Sequence, residues 1–276
     1  MISPTIIKNN VRESLLEDIG GGDITAELID QNQLSTAHVI SREPAIICGQ
    51  DWFNEVFFQL DPAIAINWLI KEGEKVSPNQ KFVELSGNSR SLLTGERTAL
   101  NWLQSLSGTA TVVSDYVAAL KNTTVKLLDT RKTIPGLRAA QKYAVKIGGG
   151  QNHRMGLFDA FLIKENHIAS CGSITKAVLR ARQNHPDKLI EVEVENFSEL
   201  QEALNSKVNM IMLDNFNLEN MEKSVSIVNK KSKLEVSGNV DLNTIKKIAE
   251  TGIDFISVGA LTKHLRAIDL SMRFEN

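Results

Sequence analysis

The stretch LIEVEVENFSELQEALNSKVNMIMLDN, residues 189–215, decides the fold. It begins with LIEVEV (189–194), a run rich in apolar and β-branched residues that is typical of a strand, and a second such run, MIML (210–213), lies near its end. Between the two runs, apolar residues recur three and four positions apart, which predicts an amphipathic helix over 198–205 that starts at Ser198. A strand, a helix and a second strand in this order are typical of a parallel sheet.

The same alternation extends through the last 150 residues of the chain. Further strands are predicted at VKLLD (125–129), AFLIK (160–164), LEVS (234–237) and DFISV (254–258). Further helices are predicted over 173–184, 217–229 and 241–251, the last of them starting at Asp241. Because the strands are almost continuously apolar, the sheet is expected to be parallel and covered on both faces. The alternation fits an α/β barrel and a doubly wound sheet equally well.

The first hundred residues have a different pattern. Short strand-like runs at 35–41, 44–48, 63–70 and 81–85 are joined by turns, which predicts a separate α+β domain. A long helical stretch from about residue 94 to residue 121, broken near Ser107-Gly108, lies between the two parts. We therefore expect a first domain over 1–105 and a second over 106–265, with residues 266–276 packing on the first.

Composition places the chain among ordinary globular proteins. Of its 276 residues, 42% are hydrophobic and 23% are charged. The longest uncharged stretch, 98–114, is too polar to span a membrane, and Lys8 and Arg12 interrupt the region where a secretory signal needs apolar residues. Cys48 and Cys171 match neither a disulfide framework nor a zinc spacing. We expect a cytoplasmic protein without a membrane segment.

The charge distribution indicates an anionic ligand. The whole chain has a formal net charge of −2, which gives no reason to expect nucleic-acid binding, whereas residues 126–164 alone carry +6. A basic segment within an acidic protein predicts a pocket for a small anion. The alternative is a solvated basic helix face, which we favour for Lys142 and Lys146.

Polar residues or glycines stand at the end of every predicted strand of the second domain. In a parallel α/β sheet, ligands bind where the carboxyl ends of the strands converge. Any one of these residues could be a helix cap or a turn, but six strand ends in succession indicate a site. In chain order they are Thr130, Arg131 and Lys132, then Lys164, Glu193 and Asp214, then Ser237, Gly238 and Asn239, and finally Gly259 and Ala260.

These residues divide by chemistry. The cationic residues are joined by His153 and Arg154, which follow a triple glycine. Together they suit carboxylates, because guanidinium offers a planar fork and ammonium a point charge. Glu193 and Asp214 could hold Mg²⁺ or contact sugar hydroxyls. The Ser-Gly-Asn and Val-Gly-Ala segments could offer backbone N–H groups to a phosphate. Together they predict a phosphorylated sugar beside a polycarboxylate.

Three glutamates, Glu191, Glu193 and Glu195, alternate along one predicted strand and would project from the same side of it. A barrel interior buries charge at a cost of several kcal/mol unless the charge is paired or bound to a metal. We therefore expect one functional glutamate, with the others in ion pairs or at the strand end.

The motifs resemble those of nicotinate-nucleotide pyrophosphorylases, the decarboxylating quinolinate phosphoribosyltransferases of NAD biosynthesis, over nearly the whole chain. The resemblance implies an N-terminal α/β sandwich domain followed by an incomplete parallel α/β barrel of six to seven strands. The matching stretches are EDIGGGDIT (17–25), GERTALNWLQSLSGTAT (95–111), LLDTRKTIPGLR (127–138), KIGGGQNHRMGLFD (146–159), IKENH (163–167), EVEVEN (191–196), MLDN (212–215), LEVSGNV (234–240) and ISVGALTKH (256–264).

The same resemblance implies a role for each site residue. Quinolinate would be bound by Thr130, Arg131, His153, Arg154 and Lys164, with Arg97 entering from the neighbouring subunit of a homodimer. The ribose, pyrophosphate and Mg²⁺ of phosphoribosyl pyrophosphate would face Lys132, Glu193 and Asp214, of which Glu193 and Asp214 are the metal ligands. The 5′-phosphate would lie against Ser237, Gly238, Asn239, Val258, Gly259 and Ala260. Some relatives have glycine where Asn239 stands and histidine where Lys263 stands.

The implied reaction gives nicotinate mononucleotide, pyrophosphate and CO₂. Alternatives are a relative of the same fold with another substrate, such as nicotinate or that of the homologues associated with molybdenum transport, an aldolase that forms a Schiff base at Lys164, and a non-catalytic phosphosugar-binding protein. For Arg97 the alternative is a surface pair with Glu96. Whether the assembly stops at a dimer or continues to a hexamer is left open by the sequence.

Overall fold

The computed structural model describes residues 2–275, which form two compact units. The first unit runs to Ser114 and takes in Ala139–Gly149 and the chain from His264 onward, and the second comprises Asp115–Arg138 and Gly150–Lys263. The α-helices are α1 (Pro4–Ile19), α2 (Gln50–Leu60), α3 (Ser89–Ala119), α4 (Arg138–Ile147), α5 (Glu165–Cys171), α6 (Ile174–Asn184), α7 (Phe197–Asn205), α8 (Leu218–Val228), α9 (Ile245–Glu250) and α10 (Ala260–Lys263). The strands are β1 (Leu34–Ser41), β2 (Ala45–Ile46), β3 (Ala65–Trp68), β4 (Lys75–Val76), β5 (Lys81–Asn88), β6 (Lys126–Leu128), β7 (Ala160–Ile163), β8 (Leu189–Val194), β9 (Met210–Asp214), β10 (Lys233–Ser237), β11 (Phe255–Ser257) and β12 (Leu270–Glu275).

The first unit is built on an antiparallel sheet in the order β12-β1-β5-β3, with β2 and β4 paired separately. The strand nearest the end of the chain, β12, therefore pairs with the first strand, β1. The sheet contributes Val39 and Val83 to the core, and α2 contributes Trp52 and Phe53. These apolar groups stabilise the unit by removing their surface from water.

Helix α3 is continuous over 31 residues, so the predicted break near Ser107-Gly108 is wrong. Gly108 does not end the helix but lets the backbone of Arg266 pack closely against it. A Cβ added to Gly108 would lie 2.0 Å from the carbonyl oxygen of Arg266. Only a residue without a side chain allows that approach. Neither α3 nor any other helix between residues 2 and 275 combines the length and the apolar character needed to cross a membrane.

The second unit confirms the predicted parallel α/β architecture. Its six strands form one parallel sheet in the order β6-β11-β10-β9-β8-β7, at nearly the positions predicted from the apolar runs. Among the described residues, β6 and β7 at the two ends of this order do not pair with each other. A single parallel bridge from Leu128 to Gln151 lies beside β6 instead. The arrangement is an incomplete barrel.

Some local predictions for the helices are wrong. The predicted start at Ser198 fails because the side chain of Asn196 accepts the N–H of Glu199 and caps α7 two residues earlier than expected. Asp241 lies in a turn, and α9 begins only at Ile245. The solvated position expected for Lys142 is wrong, because its side chain is buried. The buried face of α4 is broad and also includes Gln141 and Val145.

Candidate active site

A cavity of about 240 Å³ lies at the carboxyl ends of the six parallel strands, where the sequence predicts a site. All of its lining residues belong to the second unit. The lining includes eight of the predicted site residues, Thr130, Arg131, Lys132, His153, Arg154, Lys164, Glu193 and Ser237, together with Leu162, Met212, Glu235 and Ser257. Cationic side chains dominate its polar surface, and an anionic ligand suits that charge.

The loop after β6 brings Arg131 and Lys132 to the cavity. Oγ1 of Thr130 accepts the N–H of Lys132 at 3.1 Å, and Oγ1 of Thr262 donates to the carbonyl of Lys132 at 2.8 Å. Gly259 lies against the same lysine, since a Cβ added there would come within 2.9 Å of Lys132 Cδ. These contacts fix the loop on both sides.

His153 and Arg154 reach the cavity on a segment that stands in the gap of the barrel. The N–H of Gln151 donates to a β6 carbonyl, that of Leu127, at 2.8 Å, and the carbonyl of Gln151 accepts the N–H of Asp129 at 3.1 Å. For this one residue the segment pairs as a parallel strand would.

Asp129 holds the chain directly after that bridge. Its side chain is fully buried; Oδ1 accepts the backbone N–H of His153 at 2.8 Å, and Oδ2 accepts Nδ2 of Asn152 at 2.6 Å. The residue types in the sequence did not single out Asp129, although its place at the end of a predicted strand was an available signal.

The ring of His153 is held at both nitrogens. Nε2 lies 2.8 Å from Oε2 of Glu191 and 3.5 Å from Oε2 of Glu235, and Nδ1 accepts the N–H of Arg154 at 2.8 Å. Because Nδ1 accepts, the ring proton is on Nε2 and is donated to Glu191. The imidazole and the two carboxylates are close enough together to hold a metal ion.

Glu191 and Glu235 form a buried acidic pair beneath the cavity. Burial raises the pKa of Glu191 to about 7. Within residues 2–275, Oε1 of Glu191 and both carboxylate oxygens of Glu235 have no hydrogen-bond partner. Glu195 is exposed just beyond β8, as expected for a glutamate at the strand end. Sequence reasoning missed Glu235. In the sheet, Glu193 of β8 pairs with Met212 of β9, and Met212 pairs in turn with Glu235 of β10.

Lys164 and Glu193 form an ion pair through Nζ and Oε2. The lysine side chain is 41% exposed and that of the glutamate 11%. An anionic substrate that takes the ammonium group of Lys164 would leave the Glu193 carboxylate available to another partner. The pair therefore couples the basic part of the site to its acidic part.

A second cavity, of about 420 Å³, adjoins the first at Ser237 and is also lined by Gly238 and Asn239. The φ angles of Gly238 and Asn239 are 91° and 52°, a left-handed conformation that glycine and asparagine tolerate best. Oδ1 of Asp214 lies 3.6 Å from the position of a Cβ added to Gly238. The turn therefore lies beside Asp214 with no side chain on Gly238 between them.

Val258, Gly259 and Ala260 follow β11. The N–H of Val258 donates to the carbonyl of Leu128 at 3.0 Å, so this N–H is committed to the sheet. Gly259 and Ala260 stand at the start of α10, and Gly259 contacts Lys132 as described above. Of these three residues, Gly259 and Ala260 are the better placed to meet an anion.

Arg97 is an exposed residue of α3 in the first unit and is not among the lining of the cavity. Burial raises the pKa of its neighbour Glu96, and the charge of Arg97 opposes that rise. The electrostatic contact with Glu96 is the one expected of a surface pair. A role for Arg97 in the site of a second subunit stays a prediction.

Comparisons with known proteins agree along the whole chain. The family model described as "Quinolinate phosphoribosyl transferase, N-terminal domain" matches residues 23–107, and the corresponding C-terminal model matches residues 109–273. A probable nicotinate-nucleotide pyrophosphorylase (carboxylating) from Synechocystis sp. is 42% identical and aligns over 97% of this chain and 92% of its own length.

Two solved structures share the fold closely. The nicotinate-nucleotide pyrophosphorylase from Francisella tularensis has a TM-score of 0.98 and 55% identity, over 100% of this chain and 98% of that one. NadC from Streptococcus pyogenes has a TM-score of 0.96 and 37% identity, over 100% and 99%. Both likenesses span the two units described above.

Proposed function

Because the chain belongs to the quinolinate phosphoribosyltransferase family, we propose that it transfers the 5-phosphoribosyl group of phosphoribosyl pyrophosphate to the ring nitrogen of quinolinate. The 2-carboxylate is lost as CO₂, and the products are nicotinate mononucleotide and pyrophosphate, a step of NAD biosynthesis. One observation carries the proposal: Arg131, Arg154 and Lys164 line one small cavity at the strand ends. Three cations in that space suit a substrate with two carboxylates.

Two guanidinium groups of the cavity repel each other, and a dianion would relieve this repulsion. Burial lowers the pKa of Arg154, and the positive charge of Arg131 lowers it further. A ligand with two adjacent carboxylates would lie between the two guanidinium groups and replace their repulsion with charge-assisted hydrogen bonds. Thr130 and His153 complete the lining on this side.

The phosphoribosyl half of the site occupies the remaining strand ends. Ser237, Gly238 and Asn239 and, on the other side, Gly259 and Ala260 would surround the 5′-phosphate, with backbone N–H groups as donors. Lys132 would contact the pyrophosphate, because its contacts with Thr130 and Thr262 fix its backbone beside the cavity. Glu193 and Asp214 would face the ribose hydroxyls.

Magnesium fits the same two carboxylates. Glu193 and Asp214 offer only oxygen ligands, and Mg²⁺ is usually held by one or two carboxylates together with substrate phosphates and water. We assign Mg²⁺ to them as the cofactor, and when bound it would neutralise charge on the pyrophosphate. The His153 cluster contains an imidazole whose Nε2 is protonated, and it suits Mg²⁺ less well.

Catalysis then follows from positioning and electrostatics. The basic side chains orient quinolinate so that its nitrogen faces C1 of the ribose. As the bond from C1 to pyrophosphate breaks, Lys132 stabilises the leaving oxygen and the quinolinate nitrogen bonds to C1. The alkylated ring is cationic, so it accepts the electron pair left when the bond from C2 to its carboxylate breaks; CO₂ departs and C2 takes up a proton. No step forms a bond to the chain.

The environment of Lys164 does not support a Schiff-base aldolase. A lysine nucleophile needs a lowered pKa from desolvation or from another cation. Lys164 is 41% exposed and pairs with the Glu193 carboxylate, so the desolvation that would activate such a lysine is absent.

We propose a homodimer in which each chain gives Arg97 to the other's site, and the geometry leaves a larger assembly open. The first unit exposes Ile24, Leu28 and Leu34, and it also exposes Leu93, which lies one helical turn before Arg97 on α3. In the proposed dimer, the partner would cover some of these exposed apolar side chains.

A cytoplasmic location and an absence of nucleic-acid or membrane partners belong to the same proposal. Cys48 and Cys171 are free thiols, as expected in a reducing compartment. The formal net charge of −2 gives no general reason to expect nucleic-acid binding.

The choice of acceptor tests the function. The purified chain is incubated with phosphoribosyl pyrophosphate, Mg²⁺ and either quinolinate or nicotinate, and nicotinate mononucleotide is measured by mass spectrometry. We expect nucleotide from quinolinate only, because the cation cluster requires two carboxylates. Nucleotide from nicotinate would indicate the non-decarboxylating transferase, and no nucleotide from either would favour the binding-protein alternative.

A further inference from the structure

The gap in the barrel poses a problem for the segment that carries His153 and Arg154. In a closed barrel, each strand is held on both sides by a ladder of backbone hydrogen bonds. Here the bridge between the segment and β6 is at Gln151. The next backbone donors therefore lie beyond the ladder, although the residues that follow line the substrate cavity.

Asp129 supplies the acceptors that the ladder does not. It is the first residue after β6, and its side chain, 0% exposed, accepts the backbone N–H of His153 at Oδ1 and the side-chain amide of Asn152 at Oδ2. Both bonds have a carboxylate acceptor and are short, so each is stronger than a neutral hydrogen bond. A buried carboxylate needs such partners to offset its desolvation.

Asp129 also connects the two basic parts of the site. Thr130, Arg131 and Lys132 continue the chain directly from it on one side of the gap. His153 and Arg154 are held by it on the other side. Together with the bridge at Gln151, the Asp129 side chain therefore links the two groups of cations, and it does not itself line the cavity.

We propose that Asp129 is a positioning residue that sets the spacing of the carboxylate-binding cations and so determines affinity for the dicarboxylate substrate. This inference rests on the proposed function. The phosphoribosyl half should depend little on Asp129, because Glu193, Asp214 and Ser237 lie on β8, β9 and β10, which are held by continuous ladders. Lys132 follows Asp129 closely in the chain, but its backbone is held separately by Thr130 and Thr262.

The test is Asp129→Asn with both Michaelis constants measured. Asparagine has the same shape, but its Nδ2 cannot accept, so the N–H of His153 or the side-chain amide of Asn152 loses its acceptor. A displacement of His153 and Arg154 of the order of 1 Å can cost up to about a hundredfold in rate, and we expect the quinolinate KM to rise at least about tenfold. The KM for phosphoribosyl pyrophosphate should stay within about twofold of the wild-type value, since the strand ladders and, for Lys132, the contacts with Thr130 and Thr262 still hold its residues.

Asp254→Asn is the matched control. Asp254 also accepts one backbone and one side-chain donor, the N–H of Leu234 at 2.9 Å and Nζ of Lys233 at 2.6 Å, but at the opposite end of the same sheet. The same chemical change there should leave both KM values unchanged. Asn152→Ala is the milder second variant: it removes the donor to Oδ2 of Asp129 and keeps the bond to His153, and should raise the quinolinate KM by about threefold.

The outcomes separate three conclusions. A selective rise in the quinolinate KM for Asp129→Asn, or for Asn152→Ala if the first variant does not fold, supports the inference. Folded variants with an unchanged quinolinate KM overturn it, and so does an equal rise of both KM values, which would indicate a general structural role. A wild-type chain that neither binds quinolinate in calorimetry nor consumes it would refute the proposed function, and the inference with it.

Discussion

Replacing Arg131 with alanine should remove most of the turnover of quinolinate. Arg131 and Arg154 line the same cavity, and the charge of each is felt by the other. A guanidinium that binds a carboxylate through two charge-assisted hydrogen bonds contributes about 3–6 kcal/mol, at about 1.5–3 kcal/mol for each bond. Loss of Arg131 also removes its repulsion with Arg154, which offsets about 1 kcal/mol of this loss. Because Arg131 is partly exposed, its hydrogen bonds are expected to contribute at the lower end of the range of about 3–6 kcal/mol. The net loss is about 2 kcal/mol, or about thirtyfold in kcat/KM.

The assay is kcat/KM for quinolinate at saturating phosphoribosyl pyrophosphate. Arg131→Lys keeps the charge and loses the planar fork, so it should fall between wild type and Arg131→Ala. Arg182→Ala is the control: this arginine donates to the carbonyls of Ser206 and Lys207 at 2.9 and 2.8 Å, away from the cavity, and its loss should leave kcat/KM unchanged. An Arg131→Ala enzyme within threefold of wild type would refute the reasoning.

Three further predictions concern packing, protonation and assembly. Gly108→Ala should lower Tm by at least about 4 °C in calorimetry, because its Cβ would lie 2.0 Å from the Arg266 carbonyl; an unchanged Tm would contradict that contact. The pKa of Glu191 is raised to about 7 from 4.5, so the folded state binds the extra proton and stability is lost as pH rises through this range. In denaturant titrations the stability of wild type relative to Glu191→Gln should therefore fall by about 3 kcal/mol between pH 4.5 and 7, and a constant difference would count against a buried carboxyl. Mixed dimers of Arg97→Ala and Lys164→Ala should regain activity that neither variant has alone, whereas verified heterodimers without activity would exclude a shared site.

The barrel strands could be predicted from sequence because burial on both faces leaves a strong local signal. LIEVEV at 189–194 coincides with β8, and the other five runs match their strands to within one or two residues. The helix ends were harder, because several residues could cap each one. Ser198 and Asn196 are both good N-caps, and only the folded backbone shows that Asn196 is used.

Close packing and long-range hydrogen bonds account for most of what sequence reasoning missed. Gly108 has the residue type of a helix break, but its function depends on the backbone of Arg266, which is 158 positions away and invisible to a local pattern. Asp129 and Glu235 have their roles only through partners across the barrel, namely Asn152 and His153. The cationic residues were easier to find, because each stands at a strand end or next to a glycine run.

The fate of the 2-carboxylate tests the central claim most directly. Quinolinate labelled with ¹³C in that group alone is turned over by the purified chain with phosphoribosyl pyrophosphate and Mg²⁺, and labelled CO₂ and nucleotide are quantified together. The account predicts one labelled CO₂ for each nicotinate mononucleotide formed, with no label left in the nucleotide. A nucleotide that retains the label, or labelled CO₂ released without nucleotide, would contradict it.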